Sequence, residues 1–254
     1  MPPIKSKAFI NVDLGEAYGN FKCGPDDELF PLIDQANVAC GFHAGDPVVM
    51  ARTVRACKEH NIATGAHPGL PDIHGFGRRE LVLSLEEHTA NIVYQVGALK
   101  AFLEREGMEL HHVKPHGMLY GLCCRDIEIA RAVMAGIPRG VPVIGLPGTH
   151  METAAREAGL PFWAEFFADV RYNNEGTLVI ERKRLPWVMD DVKKHVTQQV
   201  EDGSVTSVDG KIVSFDLKDN PVTICCHSDS PDSVGIVKAT REVVDQFNSR
   251  MGYS

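Results

Sequence analysis

Short apolar runs alternate along the chain with longer stretches whose apolar residues recur every three or four positions, the pattern of strands and helices taking turns in a parallel sheet. The runs are AFIN (8–11), ANVACGF (36–42), NIATGAH (61–67), LHHVKPH (110–116), VPVIGLP (141–147), FWAEFFAD (162–169) and VTICCHS (222–228). A short helix is predicted around DDELFPLIDQ (26–35). Asp46 is placed to cap the next one, with Pro47 at its first position and Met50, Ala51, Val54 and Cys57 on one face. Ser84 and Glu87 make a capping box for a helix with the stripe Ile92, Val96, Leu99 and Leu103. Further helices are expected from Asp126, behind a Thr149–Glu152 capping box with Gly159 as the stop, and near residues 190–201. The last starts at Ser230-Pro231 and turns Val234, Val237, Val244 and Phe247 inward. The segment TSVDGKIVSF (206–215) carries an Asp-Gly hairpin signal and reads as a small antiparallel excursion. Seven strand–helix units result, an α/β fold in one domain over residues 1–254.

Composition narrows this picture. A chain of 254 residues with 44% hydrophobic and 24% charged residues has ample core, and α/β barrels use this length as one unit. Lys and Arg total 26 against 34 Asp and Glu, a net charge of −8, which argues against nucleic acid or an anionic membrane as the main partner and for a small-molecule substrate. Seven cysteines without a C-x-x-C spacing suggest reduced, cytoplasmic usage. MPPIKSKAF holds no apolar signal region, and no run of 18 apolar residues occurs, so neither secretion nor membrane insertion is expected.

The chemistry collects at the C-terminal ends of the runs. The first ends in Asp13 and Glu16, the second in His43 and Asp46, the third in His67, and the fourth in Lys114 and His116. The sixth ends in Asp169 and the last in His227 and Asp229, whereas the fifth, ending LPGTH, offers a turn and His150. In a closed α/β barrel these ends share one rim, where such enzymes do their chemistry. Bland readings take some members away. Asp46 is accounted for as a helix cap, Cys40 as core, His60, His88 and His195 as solvent-facing helix residues, and Asn11 and Asn37 as polar groups bridging inside the barrel. Glu16 and Asp229 suit loop or cap roles as well as functional ones. No G-x-S-x-G, H-E-x-x-H, G-x-x-x-x-G-K-[ST] or G-x-G-x-x-G signature competes.

The segments NVDLGEAYG, NVACGFHAGDP, GAHPGLPDIHGFGRRE, HVKPHGMLY, EFFAD and CCHSDSP, spread in order over almost the whole chain, resemble the LamB/YcsF family, whose bacterial members are 5-oxoprolinase subunits. The resemblance implies a single seven-stranded TIM-like (β/α) barrel of the glycoside hydrolase/deacetylase type and a role in lactam utilisation. It also implies ATP-dependent opening of 5-oxoproline to glutamate together with two partner subunits. The family pattern lands on Asn11, Asp13, Glu16, His43, His67, Asp72, Arg78, Lys114, His116, Asp169 and His227. It departs at Ala17 and Tyr18, at Gly121, at Ser228, and at Val170, where the family carries an arginine that appears here one place later as Arg171.

Opening a cyclic amide needs an activated water, a donor for the oxyanion and an acid for the leaving nitrogen. The expected roles are Asp13 or Asp169 as base, Lys114 and His116 as donors, and His43, His67 and His227 as positioning groups. Glu16 and Asp72 join the substrate-binding set, and Arg78 is expected to hold a substrate carboxylate. Two alternatives stay open: a metal-dependent hydrolase or deacetylase with a divalent cation on Asp13, His43 and His67, and a non-catalytic lactam-binding subunit. Hydrolysis of a five-membered lactam is thermodynamically poor because its tethered products re-close. An energy source is therefore expected, and with no phosphate loop here ATP is assigned to the partners.

Overall fold

The computed structural model describes residues 4–179 and 185–253. Eight strands occur among them: β1 (Ala8–Leu14), β2 (Gln35–Ala39), β3 (Ala63–His67), β4 (Val143–Gly145), β5 (Phe162–Phe167), β6 (Ser204–Thr206), β7 (Ile212–Ser214) and β8 (Val222–His227). Six of these form one curled parallel sheet in the order β3-β2-β1-β8-β5-β4, and β6 and β7 pair antiparallel as the Asp-Gly hairpin expected from the sequence.

Residues 110–116, expected as a strand, contribute a single bridge between the two edges of the sheet instead. Only Val113 bridges, to Ala66 on one edge of the sheet and to Val143 on the other. His111 N and Lys114 N donate to Thr64 O and Ala66 O, while Val113 N donates to Pro142 O. Regular pairing breaks off beyond Val113 because neither Pro68 on the β3 side nor Pro115 towards β4 has an N–H to donate, although His116 N still reaches Pro68 O.

The helices follow their caps. Asp46 accepts from Val48 N and Val49 N to start α2 (Pro47–Glu59), and the Ser84–Glu87 box starts α3 (Leu85–Arg105). On α3 the side chains of Ile92, Val96, Leu99 and Leu103 are all buried, each contributing roughly 1.5–3 kcal/mol. Besides the short α1 (Asp26–Leu29), the rest are α4 (Gly117–Arg125), α5 (Ile127–Ala135), α6 (His150–Glu157), α7 (Met189–Asp202) and α8 (Ser233–Met251). The pattern did not reveal α4, which starts directly after His116. At α6 the expected capping box is absent: Thr149 Oγ1 donates to Leu146 O, and Glu152 is drawn away to Gly148 N, Arg156 and Lys218. Asp232, not Ser230, caps α8. His88 is buried and His195 half-buried rather than solvent-facing; His195 lies against Tyr172 and Trp187, and desolvation of its ring pushes its pKa down to about 4.

Strand pleating sorts the side chains. Successive residues face opposite sides of a sheet, so Ile10, Val12, Ile224 and Cys226 lie in the layer under the helices while their neighbours enter the curl. The interior residues follow a period of two, with Asn11 and Asp13 beside Gln35 and Asn37 on one neighbouring strand and Thr223, Cys225 and His227 on the other. Glu165 and Phe167, then His112, Lys114 and His116, extend the same alternation. This interior is polar and buried, and it is hydrogen-bonded as expected for Asn11 and Asn37. Asn37 Nδ2 donates to Asn11 Oδ1 (2.7 Å), Asn11 Nδ2 to Thr223 Oγ1 (3.0 Å), and Thr223 Oγ1 to Gln35 Oε1 (2.8 Å).

Candidate active site

The upper end of this interior opens into a cavity of about 250 Å³. Its floor holds Asp13, His67, Lys114, His116, Asp169 and His227, and its walls include Met118, Leu146, Phe167, Leu178 and Trp187, with Arg78, Arg125 and Arg171 also lining it. Residues from the ends of the first, third, fourth, sixth and seventh runs thus meet, as the strand-end pattern predicted. The loop over residues 69–80 borders the same space: Phe76 O contacts His116, and Arg78 Nη2 pairs with Asp229 at 2.6 Å. Gly77 is required there, since its φ is +62° and a Cβ would lie 2.7 Å from that of His43.

Asp13 is the most connected group. Its Oδ1 accepts from Asn37 Nδ2 (2.8 Å) and Lys114 Nζ (3.0 Å), while Oδ2 lies 3.3 Å from His67 Nε2 and 3.7 Å from His227 Nε2. Burial pushes this carboxyl up, but His67 and Lys114 outweigh it and hold it well below the usual carboxylate range. It is ionised, with one oxygen committed inside and the other facing the two imidazoles.

Lys114 is buried and donates to Asp13 Oδ1, Asn11 Oδ1 (3.2 Å) and Cys225 Sγ (2.9 Å), with Glu165 Oε1 as a second charge partner at 2.9 Å. Burial lowers the pKa of its ammonium, yet Asp13, Cys225 and Glu165 together hold it well above the ordinary value. An ammonium has three protons. In this arrangement they serve the interior, so Lys114 acts as the counter-charge of two carboxylates rather than as the expected oxyanion donor. Glu165 was missed in the sequence; its signal is the period of two that links it to Phe167 and Asp169.

Asp169 orients His227. Its Oδ1 accepts from His227 Nδ1 (2.8 Å), and its Oδ2 accepts from His227 N (3.1 Å) and the Ser230 hydroxyl. With Nδ1 carrying the hydrogen that Asp169 accepts, the ring turns Nε2 towards Asp13 and the cavity. Both Asp169 oxygens are engaged, so the geometry suits an orienting group more than the base considered from the sequence.

His67 and His116 face each other. A carbonyl only accepts, so His67 Nδ1 donates to Lys114 O (2.7 Å) and His116 Nε2 donates to Phe76 O (2.8 Å). Two neutral rings have two N–H groups, and both are spent there. The contact of 2.9 Å between His67 Nε2 and His116 Nδ1 needs a third, so the pair carries one positive charge beside Asp13. Burial pushes His116 well below the usual histidine range.

Glu16 and His43 lie behind this pair, with Glu16 Oε1 3.3 Å from His43 Nε2 and 3.6 Å from His116 Nδ1. Burial, with Asp13 and Asp229 near, pushes Glu16 well above the carboxylate range. Asp72 does not reach the cavity: Arg79 and the amide of Gly75 take up its carboxylate, which makes it a loop-forming residue.

For a metal, the donors that converge are Glu16, His43, His67 and His116, not Asp13 with His43 and His67. All four cannot bind one ion. His43 and His116 stack with ring centres 3.7 Å apart and planes 4° from parallel, whereas a ligating imidazole aims its in-plane lone pair at an ion about 2.1 Å away. Glu16, His67 and His116 are compatible with each other. In the second group, Asp13, Cys225 and His227, the Lys114 ammonium already touches the first two.

The sequence profile of the LamB/YcsF family matches residues 9–252. The chain is 64% identical over 253 residues to the lactam utilization protein lamB of Emericella nidulans, covering 100% of both chains. It is 44% identical over 245 residues to a 5-oxoprolinase subunit of Thermus thermophilus, covering 94% of this chain and 96% of that one. The crystal structure of a lactam utilization protein from Thermus thermophilus superposes with a TM-score of 0.86 at 42% identity, over 94% of this chain and 96% of the other. With its fold, its ordered motifs and its full-length relatives in agreement, the chain belongs to the LamB/YcsF family.

Proposed function

We propose that this chain is the hydrolytic subunit of an ATP-dependent lactam hydrolase that opens 5-oxoproline, or a related lactam, to the amino acid. The names of its relatives support the lactam, and the naming of the Thermus protein as one subunit of 5-oxoprolinase supports partners, two in number on this reading. The observation that carries the chemistry is the pairing, across one cavity floor, of an ionised Asp13 and an oriented His227 with the hydrogen-bonded His67–His116 pair. Water bound between Asp13 Oδ2 and His227 Nε2 gives up a proton as its oxygen bonds to the carbonyl carbon. The C–N bond then breaks with its electron pair on nitrogen, and the imidazole pair supplies the proton that nitrogen takes. The contact of 3.3 Å between His67 and Asp13 is the route by which the water proton recharges the pair. Arg78 holds the substrate carboxylate at the wall.

Activation with ATP, by phosphorylation of the lactam oxygen, falls to the partners; on the activated lactam the same C–N cleavage leaves an acyl phosphate, and a second water bonds to its carbonyl carbon as the C–O bond breaks and phosphate leaves with that electron pair. We read the Val113 bridge as the seventh stave that completes a TIM-like barrel, and the free cysteines as those of a cytoplasmic protein. Among the described residues no helix is long and apolar enough to cross a membrane.

The test is a panel of lactams given to the purified chain alone and with its partner subunits, with and without ATP and magnesium. Ring opening of 5-oxoproline is expected only with the partners. Stoichiometric glutamate and phosphate from the chain alone would refute the division of labour. Loss of turnover in His116→Asn with lactam binding kept would refute a purely carrier role. A second reading, a divalent cation on Glu16, His67 and His116, is favoured by their convergence and is tested by metal analysis of the purified protein.

A further inference from the structure

Below the cavity a chain of buried hydrogen bonds runs down the interior to the opposite end of the sheet, and no step of the chemistry above uses it. His111 Nδ1 lies 2.9 Å from His112 Nδ1, and His112 Nε2 lies 2.7 Å from Asn37 Oδ1. Asn37 Nδ2 reaches Asp13 Oδ1 at 2.8 Å and Asn11 Oδ1 at 2.7 Å. His111 lies at the surface beside Thr64 and Glu109, whereas His112, Asn37 and Asn11 are fully buried.

The donors and acceptors in this chain are fixed. Asp13 accepts only, so the nitrogen of the Asn37 amide faces Asp13 and its oxygen faces His112. His112 Nε2 therefore carries the hydrogen. Burial keeps this ring neutral, with its pKa well below the usual range, and its bare Nδ1 accepts from His111. The ring also has a seat made for it: at Gly65 a Cβ would come within 2.3 Å of it, so glycine there is what lets the imidazole lie across the interior. An amide cannot relay protons as imidazoles do without passing through its high-energy imidic form. The chain therefore transmits orientation and not protons.

Resting on the lactam hydrolase reading, we infer that His112 is a positioning residue for the reaction, acting on Asp13 through Asn37. Its Nε2–H anchors the Asn37 oxygen, which keeps the Asn37 NH2 on Asp13 Oδ1 and leaves Oδ2 as the one oxygen turned to water and His67. Without that donor, the Asn37 oxygen is buried and unsatisfied, and the amide satisfies it by turning away from Asp13. The same turn loosens Asn11, whose Oδ1 also receives Lys114 Nζ.

The experiment compares His112→Leu, which keeps bulk without a donor, with His112→Gln, whose Nε2 can replace the lost N–H. In His112→Leu kcat is expected to fall about tenfold at little-changed KM, with His112→Gln recovering most of it. Nuclear magnetic resonance without substrate reads the second arm: the Asn37 side-chain NH2 signals should be slow to exchange in the native protein and in His112→Gln, and averaged or shifted in His112→Leu. If Leu leaves the Asn37 signals unchanged, or if kcat falls only with the folded fraction while Gln fails to restore it, the inference is overturned. Should the native complex turn over no lactam, the hydrolase reading fails by itself, and the Asn37 signals alone decide whether His112 anchors the amide.

Discussion

Replacing Lys114 by methionine tests the interior charge arrangement on which the site depends. Lys114 Nζ stands 3.0 Å from Asp13 Oδ1 and 2.9 Å from Glu165 Oε1, all three groups being buried. With an effective dielectric of about 20, each contact attracts by about 5.5 kcal/mol before the cost of desolvation is taken off. Removing the one ammonium leaves two buried carboxylates facing each other, and the net destabilisation expected from such broken pairs is about 3–5 kcal/mol. For a chain of this length that lowers Tm by roughly 10 °C. The sign of the pH dependence separates charge from packing. In the native protein Asp13 is held below its unfolded pKa, so its contribution is present at neutral pH and is lost only in acid. In Lys114→Met the carboxylate pair takes up a proton on folding, so the native state binds more protons than the unfolded one. Stability then rises as pH falls, and the deficit against the native protein shrinks by about 1.4 kcal/mol per pH unit between pH 7 and pH 5. Urea unfolding at both pH values, followed by circular dichroism, measures it. A deficit below about 1 kcal/mol at pH 7, or one equal at both pH values, would refute the arrangement.

Asp169→Asn removes the acceptor that fixes the His227 tautomer and should cut kcat by about a hundredfold or more without unfolding the chain, as read by steady-state lactam turnover. Arg78→Ala should raise KM about tenfold for a lactam carrying a carboxylate and leave an unsubstituted lactam unaffected; equal effects on both would remove the proposed contact. Gly69→Ala would set a Cβ 2.6 Å from His43 Nδ1, and is expected to cost about 1–3 kcal/mol in chemical denaturation. His195 is half-buried with its ring desolvated and its pKa down at about 4, so the unfolded state binds its proton first as pH falls below 6.5. Stability should drop from there towards pH 4, and His195→Phe should flatten that limb of the unfolding profile.

The ordering of strands and helices was legible in the sequence because each element carries local signals: apolar periodicity, the Asp46 and Ser84 caps, and the Asp-Gly turn. Convergence of Asp13, His67, His116, Asp169 and His227 was legible too, since parallel strands bring equivalent ends to one side. The short run around Val113 misled because its place in the repeat of runs and helices reads as a strand, while the partners available to its backbone N–H groups are a property of the neighbours. His88 and His195 misled for the same reason, as burial depends on what packs over a helix face.

The local code did contain the polar period of two that leads through Glu165 to Asp169 and through His112 and Lys114 to His116, but not its meaning. Whether an inward polar side chain is a ligand contact, a counter-charge or an orienting group depends on which acceptors stand within 3 Å of it, and those come from strands far apart in the chain. The sequence by itself determined which residues enter the interior and at which end they emerge. Only the tertiary structure decided that the Lys114 protons are spent on Asp13, Asn11 and Cys225 beside the Glu165 carboxylate, that Asp169 serves His227, and that two carbonyls leave His67 and His116 one proton to share, because hydrogen-bond donors are finite and their allocation is settled by distance.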